Sequence, residues 1–457
     1  MNRLRLFTFC LGTLLAQPLL AEERSSQLSA LIQDALTRNP DVAAARERIQ
    51  AERQRAPQAS SLPDPMVSLG YQNDGFTSLP LGTMPTTYFT LMATQPLPYP
   101  GKRQAREQAA AAGVDVARAR VDRLLRTLEA DVARGYVGLL LARGQLRLLQ
   151  AQEALWQRAE ALARTRYEVG QGSQTDVLRA QLQRTRLRQT RAGLEAEAQG
   201  RRIELNRLAV RPLEAPLATA ERLEDLPLPA VLPDAVTQAL AESPDLAITA
   251  ASVAQVGKRI SLAQIEAKPD FSVTAGLMPR GKLEPMWLLS VGGNLPIHSG
   301  TRQDHAVAEG KHLRAAEEQA AESVRQLVAW RTRDRMVQLQ AVLKTCRLYK
   351  GLLAQSEATL KSSLTQYGVG RLPFAAVLDA LGGQLADENG YLAVLAQAQA
   401  LAIALREIDL GPTRAIGSGG AMASASLPGA GASMPSSGAS SMSAPAGSPD
   451  TGASPSM

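Results

Sequence analysis

The chain has 457 residues, of which 45% are hydrophobic and 4% aromatic, and its formal net charge is +7. This charge does not indicate nucleic-acid binding, because the densest basic stretch, from Arg179 to Arg191, alternates arginines with helix formers and lacks stacking aromatics. The two cysteines, Cys10 and Cys346, are too few for a disulfide framework or a cysteine metal cluster.

The first segment, residues 1–21, has the pattern of a secretory signal peptide. Two arginines precede an apolar run, and Ala21 followed by two glutamates forms a cleavage point. Cys10 lies inside the apolar run, which is not the context of a lipid-acceptor cysteine. Beyond this segment no stretch reaches the roughly 18 apolar residues of a membrane-spanning helix, so a membrane role would have to use strands.

The rest of the chain is predicted to contain two repeats, at residues 22–210 and 211–411. The segment Tyr167-Glu168-Val169-Gly170, followed six residues later by Val177-Leu178-Arg179-Ala180, recurs without a gap. Its second copy is Tyr367-Gly368-Val369-Gly370 with Val377-Leu378-Asp379-Ala380. Such internal repeats decide the architecture. Each repeat is predicted to hold short helices, two short strands and a long helical hairpin.

The strands are predicted at about residues 66–73 and 87–95 in the first repeat and at about 270–277 and 286–294 in the second. In each segment apolar residues alternate with small or polar residues, which is the period of a strand. A membrane barrel strand needs this pattern, with one face toward lipid and one toward a wet lumen. The candidate lipid-facing residues are Val67, Leu69, Tyr71, Phe89, Leu91, Phe271, Val273, Trp287 and Leu289. Four ordinary strands in two soluble hairpins are the alternative.

Four strands cannot close a barrel, and open strand edges would leave backbone groups unpaired in hydrocarbon. Several copies would therefore have to share one barrel. Two copies would give eight strands around an interior filled by side chains, whereas three copies would give twelve strands around a channel.

The helical hairpins are predicted over residues 103–209 and 302–408. The first helix carries apolar residues at intervals of three, four and seven, which is the pattern of a coiled coil. At about 1.5 Å per residue it would be roughly 95 Å long, more than a compact domain needs. A soluble periplasmic coiled-coil scaffold or adaptor is the alternative function, and it explains the helices but not the paired strands.

The three histidines, His298, His305 and His312, are weak candidates for metal binding. They are seven residues apart, so neighbours on one helix would be about 10.5 Å apart along the axis and could not bind the same ion. In an assembly of three copies, each histidine would form a ring around the channel and a weak transit site for cations. The alternative is three polar positions on a helix face.

Residues 412–457 are mainly Gly, Ser, Ala and Pro with scattered methionines, and this composition predicts a disordered tail. Thioethers suit Cu(I), and the alternative is that these methionines have no ligand. No histidine lies near a Gly-x-Ser-x-Gly motif, so we expect neither an enzyme nor a cofactor.

Over about residues 27–410, the doubled motif and the two-fold order of helices, strand pair and hairpin resemble the TolC-like outer membrane factors, the outer membrane efflux proteins. The resemblance implies a mainly α fold with a small membrane β part. It implies a homotrimer in which twelve strands, four per chain, form one outer-membrane barrel and the hairpins form a periplasmic α-barrel. The implied partners are outer-membrane lipid, a periplasmic adaptor (membrane fusion protein) and an inner-membrane pump, and the implied function is passive export across the bacterial outer membrane.

The resemblance also places both motif copies at periplasmic tips that gate the entrance. Thr175 and Asp176 match a Thr-Asp pair, and Tyr367 matches a tyrosine, that hold the family's tip closed together with an arginine. Leu372 stands at the arginine position with Arg371 beside it, and the family's acidic ring matches at Asp379. The candidate gate residues are Tyr167, Gly170, Thr175, Asp176, Tyr367, Gly370, Arg371 and Asp379. Turn formation alone is the alternative role of the tyrosines and glycines.

Two phrases point to a narrower group. Leu62-Pro63-Asp64-Pro65-Met66 and the stretch from Gln95 to Arg103 resemble the heavy-metal (CusC/CzcC-like) efflux subgroup. This resemblance implies metal cations such as copper as the exported substrate.

Overall fold

The computed structural model describes residues 26–73, 82, 84–217, 219, 221–231 and 233–408. The predicted signal peptide and the predicted tail lie outside these residues. Among the described helices, none has an apolar stretch long enough to cross a membrane. The described part contains eight α-helices: α1 Ser26–Arg38, α2 Pro40–Ser60, α3 Lys102–Glu168, α4 Gln174–Leu208, α5 Ala235–Glu242, α6 Pro244–Glu266, α7 Ser299–Gly368 and α8 Phe374–Glu407.

The four strands are β1 Met66–Gln72, β2 Tyr88–Leu97, β3 Phe271–Arg280 and β4 Leu283–Gly293, and a short 3₁₀ helix spans Leu223–Asp225. Two helices, two strands and two helices thus follow each other twice along the chain. The predicted fold of four strands and two long helical hairpins is confirmed. With 67 and 70 residues, α3 and α7 are each about 100 Å long at 1.5 Å per residue.

The repeat is also visible in how the short helices begin. The side chain of Asn39 accepts a hydrogen bond from the backbone of Asp41 and Pro40 opens α2, while Ser243 caps α6, which opens with Pro244. A capping side chain satisfies a free N–H of the first turn, and proline at the first helical position has no N–H to satisfy. Local sequence therefore sets both helix starts.

The strands form one antiparallel sheet in the order β1-β2-β3-β4. Here β3 and β4 extend further toward each other than predicted, because a two-residue turn at Gly281 and Lys282 joins them. Gly281 has φ +63°, a left-handed conformation that glycine adopts without a steric penalty. The two strands therefore form a tight hairpin at the end of the sheet distant from the helices.

The long helix α3 lies at the centre of the helical part and packs against α2, α4, α6 and α8. Its first half lies between α2 and α6, since the backbone at Gly113 is close to side chains of both. Its second half packs on α4 and α8 around a buried core that includes Tyr136, Leu205 and Leu401. The two hairpins of one chain are thus held side by side.

An ion pair fixes the sheet to the helices. Lys102, at the start of α3, is 1% exposed, and its Nζ lies 2.9 Å from Oδ1 of Asp270 and donates to the carbonyl of Lys268 at 2.7 Å. A buried ammonium is stable only with such partners. This ion pair therefore holds the start of α3 next to the start of β3.

Candidate functional site

One face of the sheet is apolar and exposed. Residues directly opposite each other in an antiparallel pair lie on the same face, and the register aligns Leu69, Leu91, Leu277 and Trp287 across all four strands. Leu69 is 82% exposed and Trp287 78%. The register and the two-residue alternation bring all nine candidate lipid-facing residues onto this face.

The other face carries small and polar side chains mixed with Leu288 and the methionines Met66, Met92, Met278 and Met286. The register aligns Thr94 with Thr274, whose hydroxyl groups are 2.9 Å apart, and Thr274 with Ser290. Ser68, Gly70 and Gly276 lie on the same side. The sheet is therefore amphipathic, with one apolar, largely exposed face and one face that includes a polar row at Thr94, Thr274 and Ser290.

At their other end, the two hairpins turn through the same backbone geometry. In each turn the N–H of the motif glycine donates to the carbonyl of the motif tyrosine at 3.0 Å. Gly170 has φ +74° and Gly370 has φ +79°, and this left-handed conformation at a helix C-terminus favours glycine. The repeated motif therefore encodes the turn between two long antiparallel helices.

The two motif tyrosines have different environments. The Tyr367 side chain is 3% exposed, and its ring packs against Phe374 with centroids 5.1 Å apart. Tyr167 is 46% exposed. Within one chain, therefore, only the second motif tyrosine is buried by its neighbours.

Arg166 is the residue at this tip that the sequence analysis missed. Its guanidinium lies over the Tyr367 ring, 5.0 Å from the centroid, and donates to the carbonyl of Tyr367. The Nη2 group also donates to the carbonyl of Gln171 at 3.1 Å. The sequence signal that could have identified Arg166 is a difference between the two repeats, because the equivalent residue in the second repeat is Gln366.

The predicted contact between Tyr367 and Asp176 is electrostatic in this chain. Burial raises the pKa of Tyr367, and the nearby Asp176 carboxylate raises it further, whereas Arg166 acts in the opposite direction. The Tyr367 hydroxyl is buried and has no hydrogen-bond partner in the described part of the chain. Within the described single chain, Tyr367 therefore makes no hydrogen bond to Asp176.

The other candidate gate residues lie near the turns. Thr175 is exposed, and its N–H donates to the Ser173 side chain, which caps α4. Asp176 lies in the first turn of α4, where the helix dipole favours a carboxylate. Arg371 and Asp379 are exposed.

A second polar contact joins the two helices of the first hairpin. Glu160 on α3 accepts from Arg184 on α4 at 2.5 Å and from Gln181 at 3.3 Å. The hydrogen bond from Arg184 lowers the pKa of Glu160. Glu160 therefore stays ionised near neutral pH and helps hold the hairpin together.

The three histidines are exposed and do not converge. His298 precedes α7 as its N-cap residue, whereas His305 and His312 lie within the helix. Among the described residues, no group of three His, Cys, Asp or Glu side chains is arranged to hold a metal ion.

The helix α7 also carries an exposed apolar row. Trp330, Val337, Leu348 and Leu352 are 55%, 57%, 66% and 41% exposed. Steps of 7, 11 and 4 residues keep them on one side of the helix, while Val328, Leu339 and Cys346 on the opposite side are buried. Large apolar side chains that share an exposed helix face are candidates for an interaction site.

The amphipathic four-stranded sheet and the long hairpins define an outer-membrane channel fold, and solved structures share it. The channel OprN aligns with a TM-score of 0.71 and 18% identity, covering 84% of this chain and 90% of that chain. CusC aligns with a TM-score of 0.70 and 19% identity, covering 84% and 90%. MtrE of Neisseria gonorrhoeae aligns with a TM-score of 0.69 and 19% identity, covering 84% and 88%.

The sequence profile of the outer membrane efflux protein family matches residues 31–209 and 235–409. The chain therefore belongs to the outer membrane efflux protein family, which confirms the predicted resemblance and the predicted location in the outer membrane. No curated protein sequence matches the chain significantly.

Proposed function

We propose that this chain is the outer-membrane channel of a tripartite efflux system. It exports passively, without catalysis, the substrates that an inner-membrane pump and a periplasmic adaptor deliver. The observation that carries the proposal is the amphipathic sheet. On its apolar face, Leu69 and Trp287 are each more than three quarters exposed. Family membership and the shared fold support the same function.

The sheet requires further copies of the chain. Within the described chain β1 and β4 are each paired on one side only. An unpaired backbone group in hydrocarbon costs several kcal/mol, so β4 of one copy pairs with β1 of the next. Three copies give twelve strands, enough for a channel, with Thr274 and Ser290 on the lumen side.

The periplasmic helices support the same assembly. The exposed row of α7 places large apolar side chains at the edge of the chain, and α4 at the other edge exposes Leu178 and Leu182. Further along α4, Gly193 and Gly200 have open space where a side chain would lie. In the trimer, α7 of one copy packs against α4 of the next, where Gly193 leaves room for Leu348.

Heavy-metal cations such as copper are the proposed substrates. The support is the pair of phrases at the start of β1 and at the junction of β2 with α3, and the exposed His298, His305 and His312 offer nitrogen ligands. A deletion strain should become copper-sensitive, and the intact gene should restore growth. Normal copper tolerance together with sensitivity to organic toxicants would exclude metal as the substrate.

The channel itself is tested by fractionation and electrical recording. The protein should fractionate with the outer membrane, migrate as a heat-sensitive trimer on a denaturing gel and conduct ions in planar bilayers. A soluble monomer without conductance would instead support the periplasmic scaffold.

A further inference from the structure

Arg166 connects the two hairpin turns of one chain. It lies at the end of α3 in the first hairpin, and its guanidinium covers Tyr367 at the end of α7 in the second. Its hydrogen bonds go to carbonyl oxygens of both turns, those of Tyr367 and Gly368 on one side and that of Gln171 on the other. A cation at the C-terminal ends of two helices also compensates their dipoles.

The repeat predicts an equivalent junction between copies. Arg166 corresponds to Gln366, and Tyr367 corresponds to Tyr167. The contact of residue 366 with Tyr167 requires a second copy, which agrees with the 46% exposure of Tyr167 in the single chain. Gln366 is neutral, and its amide donates to Ser362 of its own helix at 2.9 Å.

We infer that Arg166 locks the two turns of one chain into a unit, and that the entrance opens at the junctions between copies, where Gln366 replaces the arginine. The guanidinium combines charge-assisted hydrogen bonds with a cation–π contact. Gln366 offers neither, so the junction between copies is the weaker one. The lock within a chain stands on the geometry above, whereas the site of opening rests on the proposed channel function.

Hydrogen exchange tests the lock in the full-length protein. In Arg166→Gln, the amides of residues 169–171 and 369–371 should exchange about tenfold faster, the factor that one charge-assisted hydrogen bond contributes to an equilibrium. Arg371→Gln removes an exposed arginine from the second turn and should leave the amides of residues 169–171 unchanged.

Arg166→Lys keeps the charge but loses the planar fork, so it should accelerate exchange by a smaller factor. This conservative variant also tests the lock if Arg166→Gln does not fold. Equal exchange in the Arg166 variants and in Arg371→Gln would overturn the lock.

Electrical recording tests the weaker junction. Gln366→Arg places a guanidinium next to Tyr167 of the neighbouring copy and should lower the open fraction of the channel about tenfold. An unchanged open fraction in a conducting trimer overturns the inference and leaves the channel function intact. If the parent protein neither trimerises nor conducts, the channel function and the opening between copies fail, while the exchange result still decides the lock within one chain.

Discussion

At the residue scale, the contacts of Tyr367 lead us to expect that it acts through its ring and not through its hydroxyl. The hydroxyl is buried without a hydrogen-bond partner among the described residues, whereas the ring packs between Arg166 and Phe374. An unsatisfied buried hydroxyl costs about 1 kcal/mol or more. Tyr367→Phe should therefore keep or raise the melting temperature of the trimer and leave conductance at the parental level.

The matched variant Tyr367→Ala removes the ring and should lower the free energy of unfolding by about 3 kcal/mol. A marked rise in conductance for Tyr367→Phe would show that the hydroxyl does hold the closed tip, as the family resemblance implied. Thermal unfolding and bilayer recording of both variants decide between the two roles.

The sequence predicts what is local at this site and misses what is tertiary. Gly170 and Gly370 are recognisable because a left-handed helix terminus requires glycine within a short segment. Arg166 was not recognisable, because its main partner is Tyr367, which belongs to the other hairpin. For the same reason the sequence did not distinguish buried Tyr367 from exposed Tyr167.

At the element scale, the strand alternation assigns a role to each face. Leu289 and Ser290 are adjacent on β4, point to opposite faces and are both exposed in the single chain. An arginine facing lipid near the bilayer midplane costs about 2 to 4 kcal/mol, whereas a wet lumen accommodates it. Leu289→Arg should therefore reduce trimer yield in the outer membrane, and Ser290→Arg should not.

Trimer yield is measured on gels of unheated outer-membrane fractions. Equal yields for the two variants would contradict the assignment of the apolar face to lipid.

Alternation predicted the strands, but it did not predict that β2 pairs with β3, which comes from the other repeat. Strand order depends on how the adjoining helices pack against each other. The two-residue periodicity of a single strand carries no information on that order.

At the scale of the whole molecule, the repeat explains why one chain is incomplete. The first half of α3 lies between α2 and α6, whereas in the described part of the chain α7 packs on α6 and α5 and has no extensive contact with α2. The two long helices α3 and α7 are equivalent in the repeat, but only α3 is packed between short helices of both repeats within one chain. The two outer edges, at the sheet and along α7, are the surfaces that we propose meet other copies.

The last prediction concerns the row on α7. Trp330 is 55% exposed in the single chain, so replacing it does not disturb the core of that chain. In the proposed trimer we expect it to lie between copies, where burial of an aromatic side chain contributes about 1.5 to 3 kcal/mol. Trp330→Glu should therefore shift the trimer toward monomers by at least tenfold in detergent, with helix content unchanged by circular dichroism.

Gln340→Glu is the control, because Gln340 is also exposed on α7 but lies to one side of the apolar row. It introduces the same charge and should leave the trimer intact. Native mass spectrometry over a range of protein concentrations measures the shift. If Trp330→Glu dissociates no more than the control, the copies do not meet along this row, and the sheet edges alone would have to hold the trimer together.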